Sequence, residues 1–157
     1  MKTMRTLLIL CFLSIATSLS AQQLSKNALG LRIGDNDGLG AEITYQRMLN
    51  ESNRLEFDLG FRNSNDVEAF KLVGLYQWVR PLDGNFNWYL GAGAGVGSYS
   101  TPGDDGSFAL VAGNAGIEYN FNIPLLLSLD VRPELSLDDT YSDDVDFDIA
   151  LGIKYQF

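Results

Sequence analysis

The side chains in this sequence with the means for acid–base chemistry are carboxylates set two apart, Glu56 with Asp58 and Asp146 with Asp148. A spacing of two puts both members of a pair on one face of a strand. Two carboxyl groups held in different surroundings can then divide the work of acid and base. The usual partner is missing, because the chain contains no histidine, the base on which most hydrolytic triads turn. The same faces carry Arg32, Arg62, Arg132 and Lys154. Charges of both signs on one set of faces are expected to neutralise one another, so no catalytic residue is assigned.

Two other patterns invite a functional reading. Gly91, Gly93, Gly95 and Gly97 alternate along one segment. This is not a phosphate loop, since the spacing is GxGxGxG and no helix follows. Glycines in a strand mark curvature, or room for a large side chain opposite. With Val73, Leu75, Tyr89, Phe108 and Leu110, which the alternation turns to the same side, Gly91, Gly93 and Gly95 would form an apolar wall for a lipophilic ligand. The turns, meanwhile, are acidic: Asp35 and Asp37, Asp66, Asp104 and Asp105, then Asp138, Asp139, Asp143 and Asp144, with no lysine or arginine among them. Solvation of turns accounts for this. The functional alternative is weak divalent-cation binding at Asp138, Asp139, Asp143 and Asp144, where carboxylate oxygens suit Ca²⁺ or Mg²⁺ but no EF-hand spacing exists. No cofactor is expected.

The elements that hold these residues are strands. Val145 to Phe157 alternates without a fault, Val145, Phe147, Ile149, Leu151, Ile153, Tyr155 and Phe157 against Asp146, Asp148, Ala150, Gly152, Lys154 and Gln156. That is the period of a strand with one apolar face, and its length suits a tilted bilayer crossing of about 9–11 residues. Turn signals divide the preceding chain into seven more segments: 28–34, 39–49, 54–62, 68–80, 85–99, 107–121 and 125–137. Pro81–Gly84 and Thr101–Gly106 read as loops between them. Short connections require antiparallel neighbours, because parallel strands need crossovers of a dozen residues. The polar faces collect Arg32, Glu42, Glu56, Asp58, Arg62, Lys71, Glu118, Asp130, Arg132, Glu134, Asp146, Asp148 and Lys154, a candidate interior network.

The first residues form a leader. Lys2 and Arg5 precede an apolar run from Leu7 to Ile15 and then small residues ending at Ala21, the order of a secretory signal peptide. Residues 1–21 are assigned to it and 22–157 to a single domain. The only cysteine, Cys11, lies in the apolar run, so no disulfide is expected after cleavage. The remainder carries 9 basic and 20 acidic residues, a formal charge of −11. That balance disfavours nucleic acid as a partner. No apolar run beyond the leader approaches the ~18 residues of a membrane helix.

The terminal strand, ending on Tyr155 and Phe157, resembles the closing strand of bacterial outer-membrane β-barrels, whose final aromatic residue is read by the barrel-assembly machinery. Strand count and alternation over residues 22–157 resemble the class of small barrels that includes the OmpA transmembrane domain and OmpX. The resemblance implies an all-β fold, an eight-stranded antiparallel up-and-down transmembrane β-barrel. Aromatic belts of Tyr45, Phe57, Trp78, Phe86, Trp88, Tyr119, Phe121, Tyr155 and Phe157 at one rim and of Phe61, Phe70, Phe108 and Phe147 at the other fit a bilayer. It further implies the bacterial outer membrane as location and a structural or surface-interaction role. Membrane lipid, lipopolysaccharide and the assembly machinery are the implied partners of a monomer. Relatives in that class that act on lipid A rely on a histidine, which this chain lacks. A pore is disfavoured, since water-filled channels need about sixteen strands. The alternatives are a lipophilic-ligand or minor transport barrel and, with the faces exchanged, a soluble periplasmic lipocalin-like binder.

Overall fold

The computed structural model describes residues 24–34, 40–64, 66–137 and 145–157, with the main chain only at 62 and 64. The leader, the turn residues Asp35, Asp37, Asp138, Asp139, Asp143 and Asp144, and the Arg62 side chain lie outside what is described.

Eight strands follow one another: β1 (Asn27–Gly34), β2 (Ala41–Met48), β3 (Asn53–Ser64), β4 (Val67–Asp83), β5 (Phe86–Thr101), β6 (Asp104–Asn120), β7 (Leu125–Ser136) and β8 (Val145–Gln156). Each pairs antiparallel with its sequence neighbour, and β1 pairs with β8 from Ala28↔Gln156 to Gly34↔Ala150, closing the sheet into a barrel. The expected fold is therefore observed. Closure removes every sheet edge along the paired region, and with it the unpaired amides that lipid could not solvate.

Strands β3 to β6 run further toward the turns than composition indicated, whereas β2 (Ala41–Met48) falls inside its expected segment 39–49. Pro81–Gly84 is not a loop: β4 continues through an irregularity between Pro81 and Asp83, and the chain turns at Gly84 and Asn85. Thr101–Gly106 is not a loop either. The β5–β6 ladder reaches Thr101↔Asp104, leaving Pro102 and Gly103 as a two-residue turn, with Gly103 at a φ of 118° that favours glycine. Asp104 and Asp105 accordingly belong to β6. Polar residues read as a loop because their side chains face water, but main-chain pairing is indifferent to that.

The strands are also unequal. β1 and β2 have 8 residues each, whereas β4, β5 and β6 have 17, 16 and 17. The wall formed by β3 to β6 thus projects at the rim opposite the termini (the far rim), while β1–β2 pairing stops at Ile33↔Ala41. Between β6 and β7 the ladder skips from Ala112↔Glu134 to Ala115↔Val131, beside Pro133, which has no N–H to donate.

Polarity is inverted relative to a water-soluble protein. Ile149 is 64% exposed and Phe147 64%, while Arg132 and Asp58 are 0% exposed. Because the side-chain period is two, a one-residue slip would turn every charge outward, so this contrast fixes the register. On the outer face Tyr76 and Trp78, Phe86 and Tyr119, and Tyr119 and Phe121 make edge-to-face ring pairs near the termini, and Phe61 packs on Phe70 near the far rim. Phe70 and Trp78 lie eight residues apart on β4, roughly 26 Å along a strand and about 20 Å along the normal at a tilt of about 40°. One member of the far belt is corrected: Phe108 points inward and packs on Val73, Leu75, Leu110 and Ala112.

Candidate functional site

The barrel interior holds the candidate residues, and it divides into two knots of charge and one apolar plug. In the first knot, nearer the far rim, Arg32 on β1 meets Glu42 of β2 at 2.9 Å, Asp130 of β7 at 2.6 Å, and Asp148 of β8. Arg132 on β7 meets Glu42 at 2.7 Å, Asp58 of β3 at 2.9 Å, Glu134 at 2.7 Å and, further off, Asp148 at 3.4 Å. Glu42 and Asp148 are thus shared by both guanidinium groups. Lys71 on β4 closes the set on Glu134 at 2.9 Å. Arginine suits this position because its planar fork donates in several directions at once.

The second knot lies toward the termini. Arg54 of β3 pairs with Glu118 of β6 at 2.8 Å, donates to Gln77 of β4, and lies 4.8 Å from the Tyr89 ring centroid on β5. Glu56 accepts from Gln77 at 2.9 Å and from Gln46, and faces Lys154 at 3.5 Å. Lys154 also donates to Ser128 at 3.2 Å. The Tyr89 hydroxyl donates to Asp130 at 3.3 Å and so joins the two knots. At the near mouth Gln156 donates to Asn120 at 2.6 Å and accepts from the Ser25 amide at 3.3 Å.

Every strand contributes to these contacts. Among the described residues seven buried carboxylates (Glu42, Glu56, Asp58, Glu118, Asp130, Glu134 and Asp148) face five buried cations (Arg32, Arg54, Lys71, Arg132 and Lys154). The interior therefore keeps an acidic bias. The cleft between Arg32, Glu42, Lys71 and Asp148 measures about 10 Å³, near the minimum for a single water. Asp146 is half-buried opposite Glu134. The paired carboxylates thus meet cations and amides: Glu56 is held by Gln46, Gln77 and Lys154, and Asp58 by Arg132.

The sequence reading overlooked Arg54, although it lies on the same alternation as Glu56 and Asp58 and is 1% exposed. It stands at the first position of the segment 54–62, where the alternation of Glu56 and Asp58 reaches it. Gln46, Gln77, Asn120 and Gln156 were overlooked too, because an uncharged amide on a polar face looks like ordinary surface.

The glycine-lined wall is not an open ligand surface. Val73, Leu75, Leu110 and Ala112 form a packed cluster against Phe108, and the glycines are seats for neighbouring groups. At Gly95 a Cβ would come within 3.0 Å of Val73 and 3.2 Å of Leu110, and at Gly91 it would overlap the Asn114 amide. At Gly93 it would overlap the main-chain carbonyl of Gly74. Large rings occupy three further seats. Tyr89 lies across Gly116 and Tyr99 across Gly106, each 2.5 Å from where a Cβ would stand, and Phe108 covers Gly97. The alternation found the right residues on the right face, but pocket and packing share one pattern.

A polar, ion-paired lumen inside an apolar, aromatic-belted closed sheet is the architecture of a membrane-embedded β-barrel. The fold is that of the small eight-stranded outer-membrane β-barrels. Solved structures that resemble it include the following three. The N-terminal β-barrel domain of Pseudomonas aeruginosa OprF aligns over 86% of this chain and 100% of its own, at a TM-score of 0.65 and 12% identity. The Neisserial surface protein A, NspA, aligns over 83% and 94%, at 0.58 and 14%. Ail, the attachment invasion locus protein of Yersinia pestis, aligns over 87% and 100%, at 0.57 and 19%. No family model and no curated protein sequence matches the chain.

Proposed function

We propose that the chain is an integral protein of the bacterial outer membrane with a structural or surface-interaction role, its lumen closed to general solute flow. One observation carries this reading: Arg32 and Arg132 share Glu42 and Asp148 across the lumen, leaving a cleft of about 10 Å³. The outer-membrane location is supported by the exposed apolar belt, the leader-like N-terminus and the likeness to OprF, NspA and Ail. Its partners in this reading are membrane lipid, lipopolysaccharide, and the assembly machinery engaging Tyr155 and Phe157 of the terminal strand, with the barrel acting as a monomer. No catalytic chemistry is assigned to it.

Fractionation and planar-bilayer recording test the proposal together. The protein is expected in the outer-membrane fraction, migrating faster in SDS unheated than boiled, with no steady conductance from the purified barrel. A soluble periplasmic protein without a heat shift would overturn the location, and a stable open channel would overturn the closed lumen. Any residual leak should favour cations, following the excess of buried carboxylates.

A further inference from the structure

The outer face of the projecting wall changes character row by row, because paired residues on adjacent strands stand side by side. Leu59, Leu72 and Val96 form an apolar row level with the membrane band. The next row outward carries Phe61 and Phe70, whose rings lie 5.6 Å apart. The row beyond reads Asn63, Glu68, Ser100 and Asp105 across β3, β4, β5 and β6. A cavity of about 670 Å³ opens over the last two rows. Ser100 donates to Asp105 at 2.6 Å, and among the described residues no lysine or arginine pairs with Glu68 or Asp105. The exposed cations Lys26, Arg47 and Arg80 lie at the opposite rim.

We propose that this groove binds the headgroup of an envelope lipid bearing a primary ammonium, with the acyl chains lying on Leu72 and Val96. Two features select that occupant. The groove is continuous with the lipid-facing band, so a lipid already stands at its foot. Its two carboxylates, with acceptor oxygens on Asn63 and Ser100, suit an N–H donor cation and repel a bare phosphate. Strands lie about 4.8 Å apart, so Glu68 and Asp105, two strands from one another, bracket a headgroup instead of sharing one point.

The test places the protein in phosphatidylcholine nanodiscs containing equal fractions of phosphatidylethanolamine and phosphatidylglycerol, and counts retained lipids by native mass spectrometry. Phosphatidylethanolamine should be retained about fivefold over phosphatidylcholine, the scale of two partly exposed ion pairs. Glu68→Gln with Asp105→Asn should bring that ratio to about one while the heat-dependent gel shift persists. Glu51→Gln with Asp83→Asn, at the other rim, should leave it unchanged. A variant-free check is salt: the wild-type preference should shrink at about 0.5 M NaCl, where screening is strong. Equal retention by the wild type, or a preference indifferent to the far-rim pair or lost equally with the near-rim pair, would overturn the proposal. A preference for phosphatidylglycerol that disappears with EDTA would also overturn it, by placing a divalent cation in the groove.

Discussion

The two halves of the lumen solve the same packing problem differently. Against β1, β2, β3, β7 and β8 the space is filled by Arg32, Arg132 and their shared carboxylates; against β4, β5 and β6 Val73, Leu75, Leu110 and aromatic rings seated on glycines fill the stretch between Lys71 at one end and Gln77 and Glu118 at the other. The charged half is joined by contacts between residues distant in the chain, Arg132 to Asp58 across 74 positions and Arg32 to Asp148 across 116. The apolar half is built largely within one hairpin, where Tyr89, Tyr99 and Phe108 meet Gly116, Gly106 and Gly97. Local packing can form as the β5–β6 hairpin closes. The long-range ion pairs require most of the barrel to be present, whereas Arg32–Glu42 joins neighbouring strands of one hairpin.

That contrast can be tested through urea unfolding from lipid vesicles, followed by the fluorescence of Trp78 and Trp88, which face outward. The largest effect is expected from Arg132→Met, which strips partners from Glu42, Asp58, Glu134 and Asp148 and should cost about 3–5 kcal/mol; a loss below about 1 kcal/mol would mean that the shared carboxylates are held by other means. Leu110→Ala in the apolar half should cost about 3 kcal/mol by opening a cavity, without coupling to Arg132→Met beyond about 0.5 kcal/mol. Gly116→Ala should cost about 2 kcal/mol by displacing the Tyr89 ring. Gly113→Ala, whose Cβ would meet nothing nearer than 3.6 Å, should move stability by less than about 0.5 kcal/mol. Equal effects at the two glycines would remove the seat explanation. The smallest signal is a coupling: Lys71→Met and Glu134→Leu together should cost about 1 kcal/mol less than the sum of the single losses.

Much of this was legible beforehand. Alternation in β8 alone separates Phe147, Ile149 and Leu151 from Asp148 and Lys154, and the separation holds in the barrel, where Ile149 is exposed and Lys154 buried. Strand number, order and antiparallel pairing followed from turn spacing, because short connections permit nothing else. Except for Arg54, the charged face was readable as a set. Its pairings were not, because alternation states which face a residue occupies and carries no information about height along the barrel axis or the partner opposite.

The same limit explains the glycine wall. Gly91, Gly93 and Gly95 on an inward face are equally consistent with a pocket and with seats for neighbouring atoms, and only the approach of Asn114, the Gly74 carbonyl and Leu110 decides for seats. It explains Phe108 as well, which counts as a belt residue by type and as a core residue by contact. What the sequence determined by itself is periodic: the strands, their two faces and the inverted polarity, all set by a side-chain period of two. What only the tertiary structure decided is convergent: which guanidinium meets which carboxylate, which ring fills which glycine, and where the wall rises above the apolar band. Those depend on closure and stagger, which bring strands from both ends of the chain to one level across the lumen.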